Sequence, residues 1–275
     1  MIQNGLSRET ASSIKIEQLS VEMKKGNHKR VVDHVNLSIS ADSVLGIVGE
    51  SGSGKTTLCM ALMGLLPEEF RITKGHIWFK EADIVALSAR EHRRLRGTTF
   101  SMIMQNPRVA FNPLRTIGAH MIETFRAHMK LNKREASQLA EEYLIKVGLP
   151  RPMQILKLYP FQLSGGMLQR VMIGITMAMK PELIIADEPT TGLDASNRKL
   201  ILNELTVLRQ ETGAAIVIVT HDLDVIAEMA DSVAVMQKGE VVELAPCKQL
   251  FDSPKHEYTR RLLHARIDFR PSLDC

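Results

Sequence analysis

From Gly49 the chain reads Gly49-Glu50-Ser51-Gly52-Ser53-Gly54-Lys55-Thr56, followed by Thr57. This is the pattern of a phosphate-binding loop. The glycines let backbone N–H groups turn inward around phosphate oxygens. A helix starting at Lys55 would add its positive N-terminal end. The Lys55 ammonium can neutralise β- and γ-phosphates, and the Thr56 hydroxyl can serve a magnesium ion. By itself the loop implies nucleotide binding and no more, since kinases, GTPases and transport ATPases all use it.

Further residues narrow the chemistry. Leu183-Ile184-Ile185-Ala186-Asp187-Glu188-Pro189 is an apolar run ending in two carboxylates. Beside a phosphate loop, Asp187 would hold Mg²⁺ directly or through water. Glu188 is placed to polarise an attacking water as general base. A second glycine turn, Leu163-Ser164-Gly165-Gly166-Met167, precedes Gln169-Arg170 and opens what reads as a helix. It forms another nest of N–H groups for an anion. Two phosphate nests in one chain make sense if the second serves a nucleotide held by another subunit. Gln105 follows a predicted strand, Thr98 to Met104, where its amide could reach the γ-phosphate or its Mg²⁺. His221 follows Thr220 and the predicted strand Ala215 to Val219, where its imidazole could contact the γ-phosphate and hold the attacking water. Asp194, a short turn beyond the acidic strand, could relay between the two sites of a dimer.

These residues need elements to hold them. Ile14 and Ile16, and Val35, Leu37 and Ile39, alternate with polar residues, which predicts two opening strands. The intervening Lys24 to Arg30 reads as an exposed turn. Val44 to Val48 suits a buried strand, and a helix from Lys55 should stop near Gly64. Gly75 to Lys80 and Thr98 to Met104 read as strands. From Asn106 to Tyr159 the pattern is helical. There Asn132 and Glu135 have capping-box spacing, Leu139, Tyr143, Leu144 and Val147 share one face, and Gly148 and Pro150 end the helix. Strand–helix alternation then returns: strands at Leu183 to Ala186, Ala215 to Val219 and Ser232 to Met236, and a helix marked by Ile201, Leu202, Leu205 and Leu208 that ends by Gly213. This predicts an α/β core with a mixed or mostly parallel sheet, N-terminal antiparallel strands and an inserted helical subdomain. The tail beyond Ala245 is less legible.

Composition limits the rest. The chain has 275 residues, 44% hydrophobic and 24% charged, as in ordinary globular domains. Lys and Arg exceed Asp and Glu by 35 to 31, a mild surplus that fits a polyanionic ligand or an anionic membrane face without requiring either. The basic run Arg90 to Arg96 reads as a solvated helix. With 4% aromatics, base-stacking platforms are not expected. Cys59, Cys247 and Cys275 form neither a disulfide framework nor a metal box, and the histidines lack ligand spacing. No apolar run reaches the length of a membrane span, and Met1 to Ser13 lacks the apolar core of a signal peptide. Any membrane link is therefore expected through a partner.

In order, the phosphate loop, Gln105, Leu163 to Met167, Asp187-Glu188, Asp194 and His221 resemble the ATP-binding-cassette (ABC) ATPases, from about Ile14 to Met236. The resemblance implies a P-loop ABC ATPase domain at 14–245, with its RecA-like core at 14–105 and 165–245 and a helical subdomain at 106–164. An importer-type tail would span 246–275. It also implies a dimer in which ATP lies between one chain's phosphate loop and the partner's signature, so that Leu163, Ser164, Gly165, Gly166 and Met167 act in trans. Thr56, Gln105 and Asp187 would hold Mg²⁺. Tyr159-Pro160-Phe161, Met167 and Pro254-Lys255-His256-Glu257-Tyr258-Thr259 look like the importer branch for peptides and nickel. Ile103 to Arg108, Ala110 to Leu114, Leu156 to Phe161 and Gly166 to Arg170 are similar to its nickel-import ATPases. The implied function is ATP hydrolysis coupled to uptake of nickel or a metal chelate, with di- or oligopeptides as the alternative cargo. The implied partners are a homologous ATPase subunit in a heterodimer, two membrane permease subunits and a solute-binding protein, with no nucleic acid. The implied location is peripheral, on the cytoplasmic face of the inner membrane.

Two rivals are a non-transport ABC protein, disfavoured by the single cassette and compact insert, and a P-loop kinase, disfavoured by the second nest and His221. Two features depart from relatives: near Val21 to Met23 only Met23 is available to contact adenine, and Cys247 and Cys275 are too few for the iron–sulfur site that the tail cysteines of some peptide importers resemble.

Overall fold

Three short runs, Val44–Val48, Leu183–Asp187 and Ala215–Val219, are buried along their whole length. Alternation sends their side chains to two different cores. Val44, Val48, Ile184, Ala186, Ile216 and Ile218 face a helical layer, whereas Leu45, Ile47, Leu183, Ile185, Val217 and Val219 face an antiparallel sheet. A sheet covered on both sides explains why these strands read as unbroken apolar runs.

The structure, a computed structural model, describes residues 12–24 and 29–268. Most of the Met1 to Ser13 stretch, the centre of the Lys24 to Arg30 turn, and Cys275 lie outside the described residues. The first part of the chain forms β1 (Ser12–Met23), β2 (Arg30–Ser40), β3 (Val44–Val48), α1 (Lys55–Leu62), β4 (Phe70–Phe79), β5 (Ala82–Asp83), α2 (Ala89–Leu95) and β6 (Phe100–Ile103). Four helices follow: α3 (Ile117–His128), α4 (Lys133–Lys146), α5 (Pro152–Ile155) and α6 (Gly165–Met179). The remainder alternates: β7 (Leu183–Asp187), α7 (Ala195–Thr212), β8 (Ala215–Val219), α8 (Leu223–Met229), β9 (Ser232–Gln237), β10 (Glu240–Pro246), α9 (Cys247–Asp252) and α10 (Glu257–Asp268).

One sheet has the order β2-β1-β4-β5 and is antiparallel. The other has the order β10-β9-β3-β8-β7-β6, parallel except for β10 at its edge. The helical insert is as expected: between Asn106 and Leu163 the regular elements are all helical. Its α4 opens with the anticipated reciprocal cap, Asn132 accepting from the Glu135 amide and Glu135 from the Asn132 amide. Such a cap contributes roughly 1 kcal/mol. The basic run forms α2, which has no buried residue.

The core sheet carries an edge strand, β10, that the sequence reading did not identify, and in the tail beyond it Cys247, Leu250 and Tyr258 are buried in the helical-side core. The tail's apolar residues are too few and too widely spaced to show a period, so only long-range packing reveals them.

Parallel strands point their C-terminal ends the same way. The register aligns Ile47 with Val219, Val219 with Asp187, and Ala186 with Ile103. The residues just beyond, Gly49, Thr220-His221, Glu188 and Gln105, therefore emerge along one edge of the sheet. In open α/β sheets this is the edge where ligands bind.

Candidate nucleotide-binding site

At that edge lies a cavity of about 380 Å³. It is lined by Ser51, Gly52, Gly54, Lys55, Thr56 and Thr57 of the loop after β3, and by Gln105, Asp187, Glu188 and His221, together with Val31 and Val219. Four sequence segments, spread over 170 residues from Ser51 to His221, thus contribute polar groups to one space.

The loop geometry follows from its glycines. Gly54 has φ of 103° and is the N-cap of α1, where a Cβ would run into the Val31 carbonyl. Gly49 has φ of 152° and passes against the Met236 carbonyl of β9. No side chain caps α1, and no acidic residue occupies its first turn. Its N–H groups and positive dipole end are thus left for an anion. Lys55 folds back, its Nζ donating to the carbonyls of Gly49 at 2.7 Å and Glu50 at 2.9 Å. The Ser53 hydroxyl is buried without a partner. A loop with uncapped amides, an ammonium held on its own carbonyls and an orphaned hydroxyl fits a polyphosphate.

Burial pulls the Lys55 ammonium below its ordinary range, and the carboxylates of Glu188 and Asp187 counter that pull. Burial, reinforced by Glu188, pushes the Asp187 carboxyl up, while Lys55 opposes it. Two carboxylates, the Thr56 hydroxyl and the Gln105 amide present oxygen donors, the set suited to a hard divalent cation such as Mg²⁺.

Glu188 adopts a left-handed backbone, φ 48°, unusual for a residue with a Cβ. Its amide donates to the Val219 carbonyl at 2.7 Å, which turns the residue toward β8. Four groups then surround its carboxylate. Thr191 Oγ1 and Thr220 Oγ1 donate to Oε2 at 2.8 and 3.1 Å. The His221 amide donates to Oε1 at 3.1 Å, and His221 Nδ1 lies 2.8 Å from the same oxygen. Thr191 and Thr220 escaped the sequence reading, although each lies close in sequence to a chosen residue. Val31 gave no sequence signal, because only the packing of β2 over the loop brings it there. Met23 does not line the cavity, whereas Val31 does.

The signature and Asp194 do not line the cavity either. Ser164 caps α6, accepting the Met167 amide at 3.2 Å. A Cβ on Gly165 would meet nothing within 4 Å, and one on Gly166 only the Asn197 side chain. The chain's own packing therefore gives no reason for glycine at 165. Asp194 caps α7, and bonds from the Asn197 amide and side chain hold its carboxyl below the usual range. Arg198, one turn on, pairs at 2.8 Å with Asp222, the residue after His221.

Comparison with known proteins identifies the family. The ABC transporter family matches residues 32–191. The dipeptide transport ATP-binding protein DppD of Escherichia coli (strain K12) is 42% identical over 87% of this chain and 73% of its own length. The oligopeptide transport ATP-binding protein OppD of Lactococcus lactis subsp. cremoris (strain SK11) is 41% identical, over 94% and 76%. The metal-staphylopine import system ATP-binding protein CntD of Staphylococcus aureus (strain Mu50 / ATCC 700699) is 39% identical, over 86% and 87%. Among solved structures, a dimeric post-hydrolysis state of the ATP-binding cassette MJ0796, bound to ADP and Pi, superposes with a TM-score of 0.76 at 26% identity, covering 85% of this chain and 98% of that one. With its P-loop α/β fold and these relatives, the chain belongs to the ABC transporter family, among its ATP-binding subunits.

Proposed function

We propose that this chain hydrolyses ATP to drive an importer of the peptide and nickel branch. The observation that carries the proposal is the meeting of the phosphate loop, Asp187, Glu188, Gln105 and His221 around one cavity. The loop amides and Lys55 bind and orient the triphosphate. Thr56, Asp187 and Gln105 would hold Mg²⁺, which supplies neutralisation of charge on the phosphate oxygens. Glu188, positioned by Thr191, Thr220 and His221, orients the attacking water and takes its proton as general base. His221 and Gln105 report the γ-phosphate to the parts of the chain they belong to.

The vacant space at Gly165 supports a partner's nucleotide docking on the signature nest. The two sites then close together, with Asp194 between them. The dimeric MJ0796 cassette supports the same arrangement. Among the described residues no helix is long and apolar enough to cross a membrane. The proposed assembly therefore attaches to the membrane through two permease subunits, fed by a solute-binding protein. A homologous ATPase fills the second position.

Relatives named for dipeptide and oligopeptide transport support small peptides as cargo at least as well as nickel. The metal-staphylopine relative favours a metal chelate, nickel included, as the second reading. Reconstitution of the full transporter in vesicles, with labelled dipeptides and labelled nickel chelates offered in parallel, separates them. ATP-dependent uptake of one and not the other assigns the cargo. Uptake that persists in a Lys55→Ala assembly would overturn the coupling of this site to transport.

A further inference from the structure

The tail reaches the phosphate loop. The Glu50 amide donates to the Tyr258 hydroxyl at 3.0 Å, across 208 residues of sequence. Tyr258 is the second residue of α10, 4% exposed, with its ring in the helical-side core. Glu50 does not line the cavity; the lining of that loop begins at Ser51. The tyrosine therefore grips the loop from behind, at its first residue after Gly49, outside the space for phosphate.

The segment that carries Tyr258 is itself anchored. Glu243 of β10 accepts the Lys255 amide at 2.8 Å and the His256 amide at 2.9 Å, one on each carboxylate oxygen. Burial raises the Glu243 carboxyl, but the neighbouring Thr259 and the two amides outweigh it and hold the group low. The Tyr258 amide donates to His256 Nδ1 at 3.2 Å. Pro254 to Thr259 is thus a built strut running from β10 to the loop.

The loop has few other restraints at this end. Within it, the Ser53 amide donates to the Glu50 carbonyl at 3.2 Å, and the Ser53 carbonyl accepts from Gly239 at 3.0 Å. The Gly49 carbonyl, in the same peptide group as the Glu50 amide, accepts from Lys55 Nζ at 2.7 Å. One peptide group therefore joins the Tyr258 hydroxyl to the lysine of the loop. A loop that must present several amides in fixed directions gains affinity when it is ordered before the ligand arrives.

We propose that Tyr258 is a positioning residue for nucleotide binding, through which docking of the tail sets the affinity of the phosphate loop. The inference rests on the nucleotide-binding reading of the cavity. The test is Tyr258→Phe in the full chain, which removes only the hydroxyl. Mg-ATP binding is titrated with a fluorescent analogue, and hydrolysis is measured in the assembled transporter. Loss of one net hydrogen bond predicts about a fivefold rise in Kd and in KM for ATP. The rate at saturating ATP should be retained, because Tyr258 does not line the cavity with Glu188 and His221. A purely structural tyrosine would lower thermal stability and leave KM where it was. Unchanged Kd and KM would overturn the proposal. Should the variant fail to fold, hydrogen exchange of the peptide containing Glu50 is compared between the native chain and Glu243→Gln, which loosens the strut. Faster exchange is expected, and equal exchange would overturn it. If the native chain bound no nucleotide, the reading of the cavity would fall instead, so the two failures are distinguishable.

Discussion

Glu188→Gln is the sharpest test of the chemistry, because the hydrogen bonds around the carboxylate say what the substitution changes. Oε1 faces the His221 amide, a group that can only donate, and His221 Nδ1. Oε2 faces two hydroxyls, Thr191 and Thr220, which can turn to accept. A glutamine can therefore place its carbonyl on His221 and its NH₂ toward the threonines, with no unsatisfied group. The backbone and each hydrogen-bonding group keep a partner, so stability should change by about 1 kcal/mol or less, the net worth of one hydrogen bond. What disappears is the carboxylate proposed as the base. Removal of a general base costs about 10²–10⁴ in rate. Single-turnover hydrolysis should fall by that factor, while Mg-ATP affinity measured by equilibrium titration is retained and the closed dimer accumulates on a sizing column. A variant that hydrolyses ATP at the native rate would refute the role given to Glu188. A variant that loses ATP binding altogether would show that the amide cannot take the carboxylate's place in this network.

Other perturbations probe different parts of the argument. Gly165→Ala should leave the thermal midpoint unchanged or raise it, since the added methyl meets nothing within 4 Å and alanine is the better helix former by up to about 1 kcal/mol. Hydrolysis by the assembled dimer should nevertheless fall about tenfold or more, as expected for an anion nest that is blocked; full activity would contradict docking of a partner's nucleotide there. Burial pushes the Glu204 carboxyl up to about 7 against the pull of Arg170, its partner at 2.8 Å, and leaves Oε2 without a hydrogen bond. Between the ordinary carboxylate range and neutrality the folded chain therefore holds a proton that the unfolded chain has released. Folding stability should decline as pH rises through that window, with the loss complete above about pH 7. Glu204→Gln should flatten this part of a plot of thermal midpoint against pH, and identical slopes in the two proteins would refute it.

Much of the site is written locally. The phosphate loop is legible because each position has a chemical demand that few residues meet: left-handed φ at Gly54, close backbone approach at Gly49, an ammonium at Lys55. Asp187 and Glu188 are legible because a buried apolar strand cannot run into two carboxylates without a use for them. Gln105 and His221 are weaker signals, since a single polar residue after a strand has many incidental causes; it is the alignment of β3, β8, β7 and β6 that brings them to one cavity. Thr191 and Thr220 were passed over because a threonine hydroxyl acquires meaning only once a carboxylate is folded against it.

The sequence by itself determined the main core strands up to β9, the helical insert, and the residue types suited to phosphate and water, because periodicity and short-range chemical spacing are properties of neighbours along the chain. Only the tertiary structure decided that Val31 joins the cavity lining, how Glu188 is held, and that the tail returns to the loop through Tyr258. Those contacts join residues far apart in sequence, and their strength comes from burial and hydrogen-bond geometry, which exist only once the core has closed.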